Sequence, residues 1–340
     1  MGAFGVERSW IIPVILFIAV QQAVCLTLGT YHQFHGSPPY LPYGVAALTA
    51  FGLVAIFIGL IDARRMMRVQ PPSPLAYMRN AFAARKERLI IFAFGCVLIW
   101  FQFVSLTWTK ALIPYVTPMW ADPMLADADA WIFGDDPWRL IHPIIMPIEP
   151  VVDVLYALWA LILKVCLGAI LFAPPSRNKS TLLLTFFLVM GLVGVFGQFI
   201  LPSAGPIFWE RMGLGNRFAD FVPAAHAGWA SDLLWEARAG DNLGFADGIS
   251  AFPSMHVAGA VWMVLAMRLI YPKVQSLLWA YLVLVLVGSV ALGWHYAMDG
   301  IGAAAGTILC FVLARFITSA SFFQRPIPIP VFARPSIRNR

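Results

Sequence analysis

Apolar residues in this chain come in long unbroken runs, not in the alternation of a strand or the narrow stripe of a soluble helix. Eight stretches stand out: 10–28, 44–61, 89–108, 151–172, 181–201, 252–270, 277–292 and 295–317. Most approach the roughly 20 residues that a helix needs to cross a hydrocarbon core of about 30 Å. Helices that are apolar all round must be buried in protein or lipid. The pattern therefore predicts an all-α fold, a polytopic membrane helix bundle of about eight transmembrane helices. The first run follows Arg8 and has no small-x-small cleavage site, so it is expected to remain as a span. Two long loops, about 109–150 and 202–250, are rich in Trp, Pro, Gly and Asp and predict interfacial turns and short helices. Three parts follow: 1–88, two spans and a basic loop; 89–317, a six-helix core; 318–340, a basic tail.

Composition sharpens this reading. Of 340 residues, 60% are hydrophobic and 12% charged, against roughly 25% charged in soluble domains. The net charge of +6 would suit a nucleic-acid partner only if it were gathered on a soluble surface. Here Lys and Arg fall in short loops, which sets orientation in a bilayer instead. Eight spans place Arg8, seven basic residues in 62–88, two in 173–180, two in 268–275 and five from Arg315 onward on one side, 17 of the 23. Lys110, Arg139, Arg211, Arg217 and Arg238 fall on the other, and Lys164 lies within a span. By the positive-inside rule both termini are expected in the cytoplasm, and all six histidines on the periplasmic, lumenal or extracellular face. Cys25, Cys96, Cys166 and Cys310 lie in apolar runs and read as small buried hydrophobes.

Chemistry concentrates in two blocks on that outer face. The first, Ser250-Ala-Phe-Pro253-Ser254-Met255-His256, opens the sixth run. Pro253 suits a first helical turn. The amides of Ser254, Met255 and His256 are then expected to be free at the positive end of the helix dipole, where a phosphate binds. The second block, Gly293-Trp294-His295-Tyr296-Ala-Met-Asp299, opens the eighth run. His295 and Asp299, four apart, would share one helix face, and a carboxylate orients an imidazole for nucleophilic or base chemistry. Gly191-x2-Gly194-x2-Gly197 and Gly302-x3-Gly306 predict close helix packing.

Together the blocks resemble the second and third signature motifs of the type-2 phosphatidic acid phosphatase/haloperoxidase superfamily. The wording around Ser254 and His295 resembles the branch containing the inositol phosphorylceramide synthases. So do Ser203-Ala-Gly-Pro206 and Gly134-Asp-Asp136-Pro-Trp138, and the likeness runs from about residue 129 to 317. It implies that His295 attacks phosphorus, that Asp299 orients it and that His256 protonates the departing oxygen. Ser254 and Met255 would hold phosphate oxygens. The resemblance implies neither metal nor cofactor. Asp127, Asp129, Asp135 and Asp136 are expected as a solvated acidic loop.

The superfamily's first motif, Lys-x6-Arg-Pro, is read as absent. The Ser-Arg of its third motif falls on Gly288-Ser289. The phosphate's cationic partners are then sought in Arg211 first, Arg217 second, with Arg238 also on that face. The expected partner is a membrane lipid: a lipid phosphate or phospholipid donor with a lipid alcohol acceptor. The expected activity is transfer of a phosphoryl or phosphorylated headgroup, inositolphosphotransferase-like, through a phosphohistidine. The alternative within the class is a lipid or isoprenoid phosphate phosphatase. The alternative outside it is a proton-coupled transporter using His295–Asp299 as a relay.

Overall fold

The computed structural model describes residues 3–237 and 248–319. Within them every regular element is helical: α1 (Ala3–Tyr31), α2 (Tyr40–Val69), α3 (Pro74–Val116), α4 (Asp122–Phe133), α5 (Pro137–Ile145), α6 (Glu149–Ala157), α7 (Trp159–Phe172), α8 (Arg177–Leu188), α9 (Ala225–Ala237), α10 (Met255–Ile270), α11 (Gln275–Ala291) and α12 (Ala297–Ser319). Among the described residues, seven helices are long and apolar enough to cross a membrane. The protein is an integral multi-pass membrane bundle.

Six of the eight expected spans coincide with those seven. The other two differ for local reasons. The run 151–172 is divided at Leu158, between α6 and α7, and the apolar stretch Pro137–Ala157 reaches back through α5. The run 252–270 becomes the 16-residue α10, because Ser254 caps the helix and leaves Pro253 outside it. At 1.5 Å per residue α10 is about 24 Å long. It is enclosed by α7, α8, α11 and α12.

Lipid tails are as apolar as Leu, so packing in a bilayer leans on close backbone approach and on interhelical hydrogen bonds. Both occur here. The α8 helix continues into a π-helical turn, Val189–Phe196. A Cβ on Gly191 would stand 2.2 Å from the Phe17 ring, and one on Gly194 2.9 Å from Leu106. A Cβ on Gly306 would stand 2.9 Å from Val193. Between α1 and α3 runs a polar ladder: Gln102 Nε2 donates to Gln21 Oε1 (3.3 Å), Gln22 Nε2 to the Phe101 carbonyl (3.0 Å), and Cys25 Sγ meets Thr109 Oγ1 (3.2 Å). Such bonds contribute about 0.6 kcal/mol each in membranes. All four cysteines are buried and free.

Candidate active site

Both sequence blocks lie at one end of the bundle, held together by an irregular segment that joins the fifth span to them. Ser203 accepts the Ala251 amide on its carbonyl (2.8 Å) and the Phe252 amide on its Oγ (3.1 Å). Four residues on, the Ile207 amide donates to the Gly293 carbonyl (2.8 Å). Between them Gly205 adopts φ +100°, and a Cβ there would stand 2.5 Å from the Trp294 carbonyl oxygen. Ser203-Ala-Gly-Pro206 is thus the strap joining the block before α10 to the block before α12, and only glycine fits its midpoint.

The second block is fastened from α4. Asp122 Oδ2 and Oδ1 accept the Ala204 and Gly205 amides (both 2.8 Å), and Oδ1 also accepts the Tyr296 hydroxyl (2.9 Å). One face further along α4, Asp129 accepts the amides of Ala297 (2.6 Å) and Met298 (3.0 Å) and so caps α12 from outside. Burial pushes the Asp129 carboxyl up to about 6, against these two amide bonds; Asp299 and Asp136 push it the same way. The expectation of a solvated acidic loop is therefore corrected. Asp129 and Asp136 are buried structural carboxylates, while Asp127 and Asp135 are exposed. No cluster of metal-ligating side chains occurs among the described residues.

His295 Nδ1 lies 3.2 Å from Asp299 Oδ2, with His295 6% and Asp299 0% exposed. They do not share a helix face as the spacing suggested. His295 precedes α12, and Asp299, in its first turn, reaches back to accept the Tyr296 amide (2.9 Å) and the imidazole on the same oxygen. A third-position carboxylate returning to the helix start is half of a capping box. With Nδ1 engaged, Nε2 is the nitrogen left for chemistry.

Facing this pair is the start of α10. Ser254 is its N-cap, and Ser254 Oγ accepts the Val257 amide (3.4 Å). The Ser254 amide donates to the Asp299 carbonyl (3.2 Å), so it is not free for phosphate as expected. This bond locks the two blocks together. The amides of Met255 and His256 remain without an intrahelical acceptor at the positive end of the dipole. The His256 ring centroid lies 5.9 Å from that of His295. Tyr156 stacks on His256 at 4.5 Å and Trp159 packs at 4.6 Å, with Trp159 Nε1 donating to the His256 carbonyl (2.9 Å). The Tyr156 hydroxyl is buried without a partner among the described residues.

The structure thus brings together Ser254, Met255, His256, His295 and Asp299, and does not bring Arg211 or Arg217 to them. Arg217 Nη2 pairs with Asp136 (2.8 Å) and Nη1 with Asp127 (2.6 Å), while Nη2 also donates to the Ala126 carbonyl (2.9 Å). These hydrogen bonds, Asp136 foremost, raise its pKa further. Arg211 pairs with Asp232 on α9 and lies over Trp235. Trp235 stacks on Phe208, which packs in turn on Trp294, so two aromatic layers separate Arg211 from the second block. Arg238 lies outside the described residues.

The cation that is present is Lys110, near the end of α3. It is close enough to His256 for the two charges to interact, is half-buried, and has no carboxylate partner among the described residues. The chain entering the first block presses on it: a Cβ on Gly248 would stand 2.4 Å from Lys110 Cβ. A signal for Lys110 was there to read. Lys110, six residues, then Thr117-Pro118 keeps the lysine and proline of Lys-x6-Arg-Pro, with Thr in place of Arg.

An open helix N-terminus, a carboxylate-held histidine, a second histidine across from it and a lysine form a site for a tetrahedral oxyanion. The comparison with known families agrees. A model described as PAP2 superfamily matches residues 125–313, more than half of the chain, and the protein belongs to that superfamily. It is an enzyme of phosphate esters, of the phosphatase and phosphotransferase type. No curated protein and no solved structure matches the chain.

Proposed function

We propose that this protein moves a phosphoryl group or a phosphorylated headgroup between membrane lipids through a phosphohistidine at His295. The observation that carries the reading is the Asp299–His295 pair set 5.9 Å, ring to ring, from His256 at the mouth of α10. Asp299 Oδ2 holds Nδ1, so the Nε2 lone pair attacks phosphorus. The bond from phosphorus to the leaving oxygen breaks, and His256 gives that oxygen its proton. Lys110, the Met255 and His256 amides and the Ser254 hydroxyl balance the charge on the non-bridging oxygens. In the second step an acceptor hydroxyl loses its proton to His256 and attacks phosphorus, and the P–N bond breaks.

Transfer to a lipid alcohol, in preference to hydrolysis, is supported by what covers the second block. Phe221 lies against Gly293, Phe208 against Trp294 and Phe218 against Tyr296. Three aromatic rings over four residues limit water at the intermediate. The block wording, resembling the inositol phosphorylceramide synthase branch, points the same way. The charge asymmetry of the loops supports a site on the outer face, with both termini in the cytoplasm.

The test is direct. Purified protein receives labelled phospholipid with and without diacylglycerol, ceramide or another lipid alcohol. Acceptor-dependent formation of a new phosphodiester lipid is the expected result. Phosphate released at one rate regardless of acceptor overturns transfer and leaves a lipid phosphatase.

A further inference from the structure

The end of the bundle away from the histidines carries a second concentration of charge that the reaction does not use. Lys110 and Arg85 lie on the one helix α3, 25 residues apart, which is about 38 Å of rise. Around Arg85, α2 and α3 enclose a cavity of about 340 Å³ lined by Ile58, Ile61, Asp62, Arg65, Arg85 and Arg88. The spacing explains the lining. Ile58, Ile61, Asp62 and Arg65 fall three to four residues apart on one face of α2, and Arg85 and Arg88 do so on α3.

The charges in this cavity do not cancel. Asp62, 5% exposed, is bonded to Arg85. Arg65 and Arg88 are both exposed and have no carboxylate partner among the described residues. Lys179, whose charge interacts with that of Arg88, is paired with Glu7 at 2.7 Å, and the other Glu7 oxygen takes the Trp10 indole N–H, so this carboxylate is not left over for Arg88. Two unpaired guanidiniums therefore face one concavity whose only carboxylate is already taken. Guanidinium forks take phosphate or carboxylate oxygens bidentately, and beside a membrane-spanning helix the abundant anion is a lipid phosphate.

The remaining wall decides what carries the phosphate. Ile58 and Ile61 supply the apolar part of the lining, and beside them in sequence Phe57 and Leu60 are 64% and 63% exposed on α2. An occupant seated on the arginines meets apolar surface directly below, along a helix that faces lipid. We propose that this groove is a binding site for an anionic phospholipid, its phosphate held by Arg65 and Arg88 and an acyl chain lying along α2. The site is separate from the reaction and uses none of its residues. Basic pockets between transmembrane helices hold lipid headgroups in this manner.

The experiment compares retention of radiolabelled phosphatidylglycerol and of phosphatidylcholine with the same acyl chains by the full-length protein in detergent. At about 1 kcal/mol for each basic residue, Arg65→Gln/Arg88→Gln should bind phosphatidylglycerol about 10- to 30-fold more weakly. Phosphatidylcholine retention should stay unchanged. Arg64→Gln/Arg68→Gln removes the same charge from the same segment outside the cavity and should change phosphatidylglycerol binding less than about threefold. Equal loss in both double variants means diffuse basic charge and overturns the site, as does no loss in either. Displacement of the lipid by millimolar inorganic phosphate makes a soluble anion the occupant and overturns the lipid. In the unsubstituted protein, phosphatidylglycerol but not phosphatidylcholine should shield Arg65 and Arg88 from phenylglyoxal. Modification at equal rates under both lipids refutes the proposal without any variant.

Discussion

Two buried pairs, each a carboxylate set against a basic side chain, sit at opposite ends of this bundle. Glu7 and Lys179 join α1 to α8 at one end. Glu7 Oε1 takes the lysine at 2.7 Å, Oε2 takes the Trp10 indole N–H, and neither side chain is more than 2% exposed. Asp299 and His295 sit at the other end, equally enclosed, but Asp299 Oδ1 and His295 Nε2 have no partner among the described residues. The first pair has both carboxylate oxygens engaged and no nucleophilic lone pair left over, so it can only hold. The second keeps one acceptor and one lone pair in reserve, beside a helix start with unbonded amides. Burial and charge alone do not distinguish a clasp from a reagent; the unfilled valences do.

That comparison breaks most decisively at His295. His295→Ala should lower turnover by about 10⁴-fold or more, because in the proposed scheme no other group forms the covalent bond. Its melting temperature should move little. In His256→Ala, labelled phosphoenzyme should accumulate with substrates whose leaving groups need no proton. Near-normal turnover in His295→Ala removes the nucleophile from the scheme.

Lys110 comes next. Lys110→Met should cost about 10²–10³ in kcat, the usual loss for one charge-assisted contact to transition-state oxygens. Lys110→Arg should recover part of it. If Lys110→Met acts through folding alone, kcat per folded molecule will be unchanged.

At the clasp the readout reverses. Glu7→Gln leaves a buried ammonium without its anion, which costs about 3–5 kcal/mol of stability. Turnover per folded molecule should be unaffected. Adding Lys179→Met should restore most of the loss, since an apolar pair of like volume is often no worse than the ions. A double variant as unstable as the single one would show that packing, not charge, holds α1 to α8.

Between the two ends in character lies Asp129, buried and doubly bonded but structural. Its folded pKa of about 6 stands above the usual carboxylate value of 3.8. The folded state therefore binds this proton more tightly than the unfolded chain does. The stability from that preference is complete below about pH 4 and is lost as pH rises through 6, by about 3 kcal/mol. Relative to Asp129→Asn, the wild type should lose about that much stability between pH 4 and pH 7. A pH-independent difference would mean that Asp129 titrates normally.

The spans and both chemical blocks were legible because their signals are local: an apolar run, a proline before a serine cap, a histidine near a carboxylate. The four-residue spacing of His295 and Asp299 signals their contact but not its geometry. The imidazole stands before the helix, and the carboxylate returns to it. What could not be read spans distance. Asp122 meets Tyr296 across 174 residues and Asp129 meets Ala297 across 168, so neither short-range pattern nor charge marks them as anything but loop carboxylates. The acidic partners of Arg217 likewise lie 81 and 90 residues away.

The smallest effect belongs to Arg211, and it tests whether the site's cation has been placed correctly. From sequence Arg211 was the leading candidate, since it follows the Ser203-Ala-Gly-Pro206 turn and lies in the right loop. Its guanidinium instead spans to α9, bonded to Asp232 and reaching the Ser231 carbonyl at 3.4 Å. Both charged partners are substantially exposed, at 35% and 59% of their side chains. Exposed ion pairs contribute about 0–1 kcal/mol, so Arg211→Ala should alter stability by no more than that and kcat by less than about threefold. Its effect should fall on KM, because α9 and the Phe208–Trp235 stack cover the second block, and loosening that cover changes how a lipid is held more than how its phosphorus reacts. A fall in kcat of about 10²-fold or more, with Lys110→Met near wild type, would exchange the two assignments and require Arg211 to swing from Asp232 into the site when substrate binds.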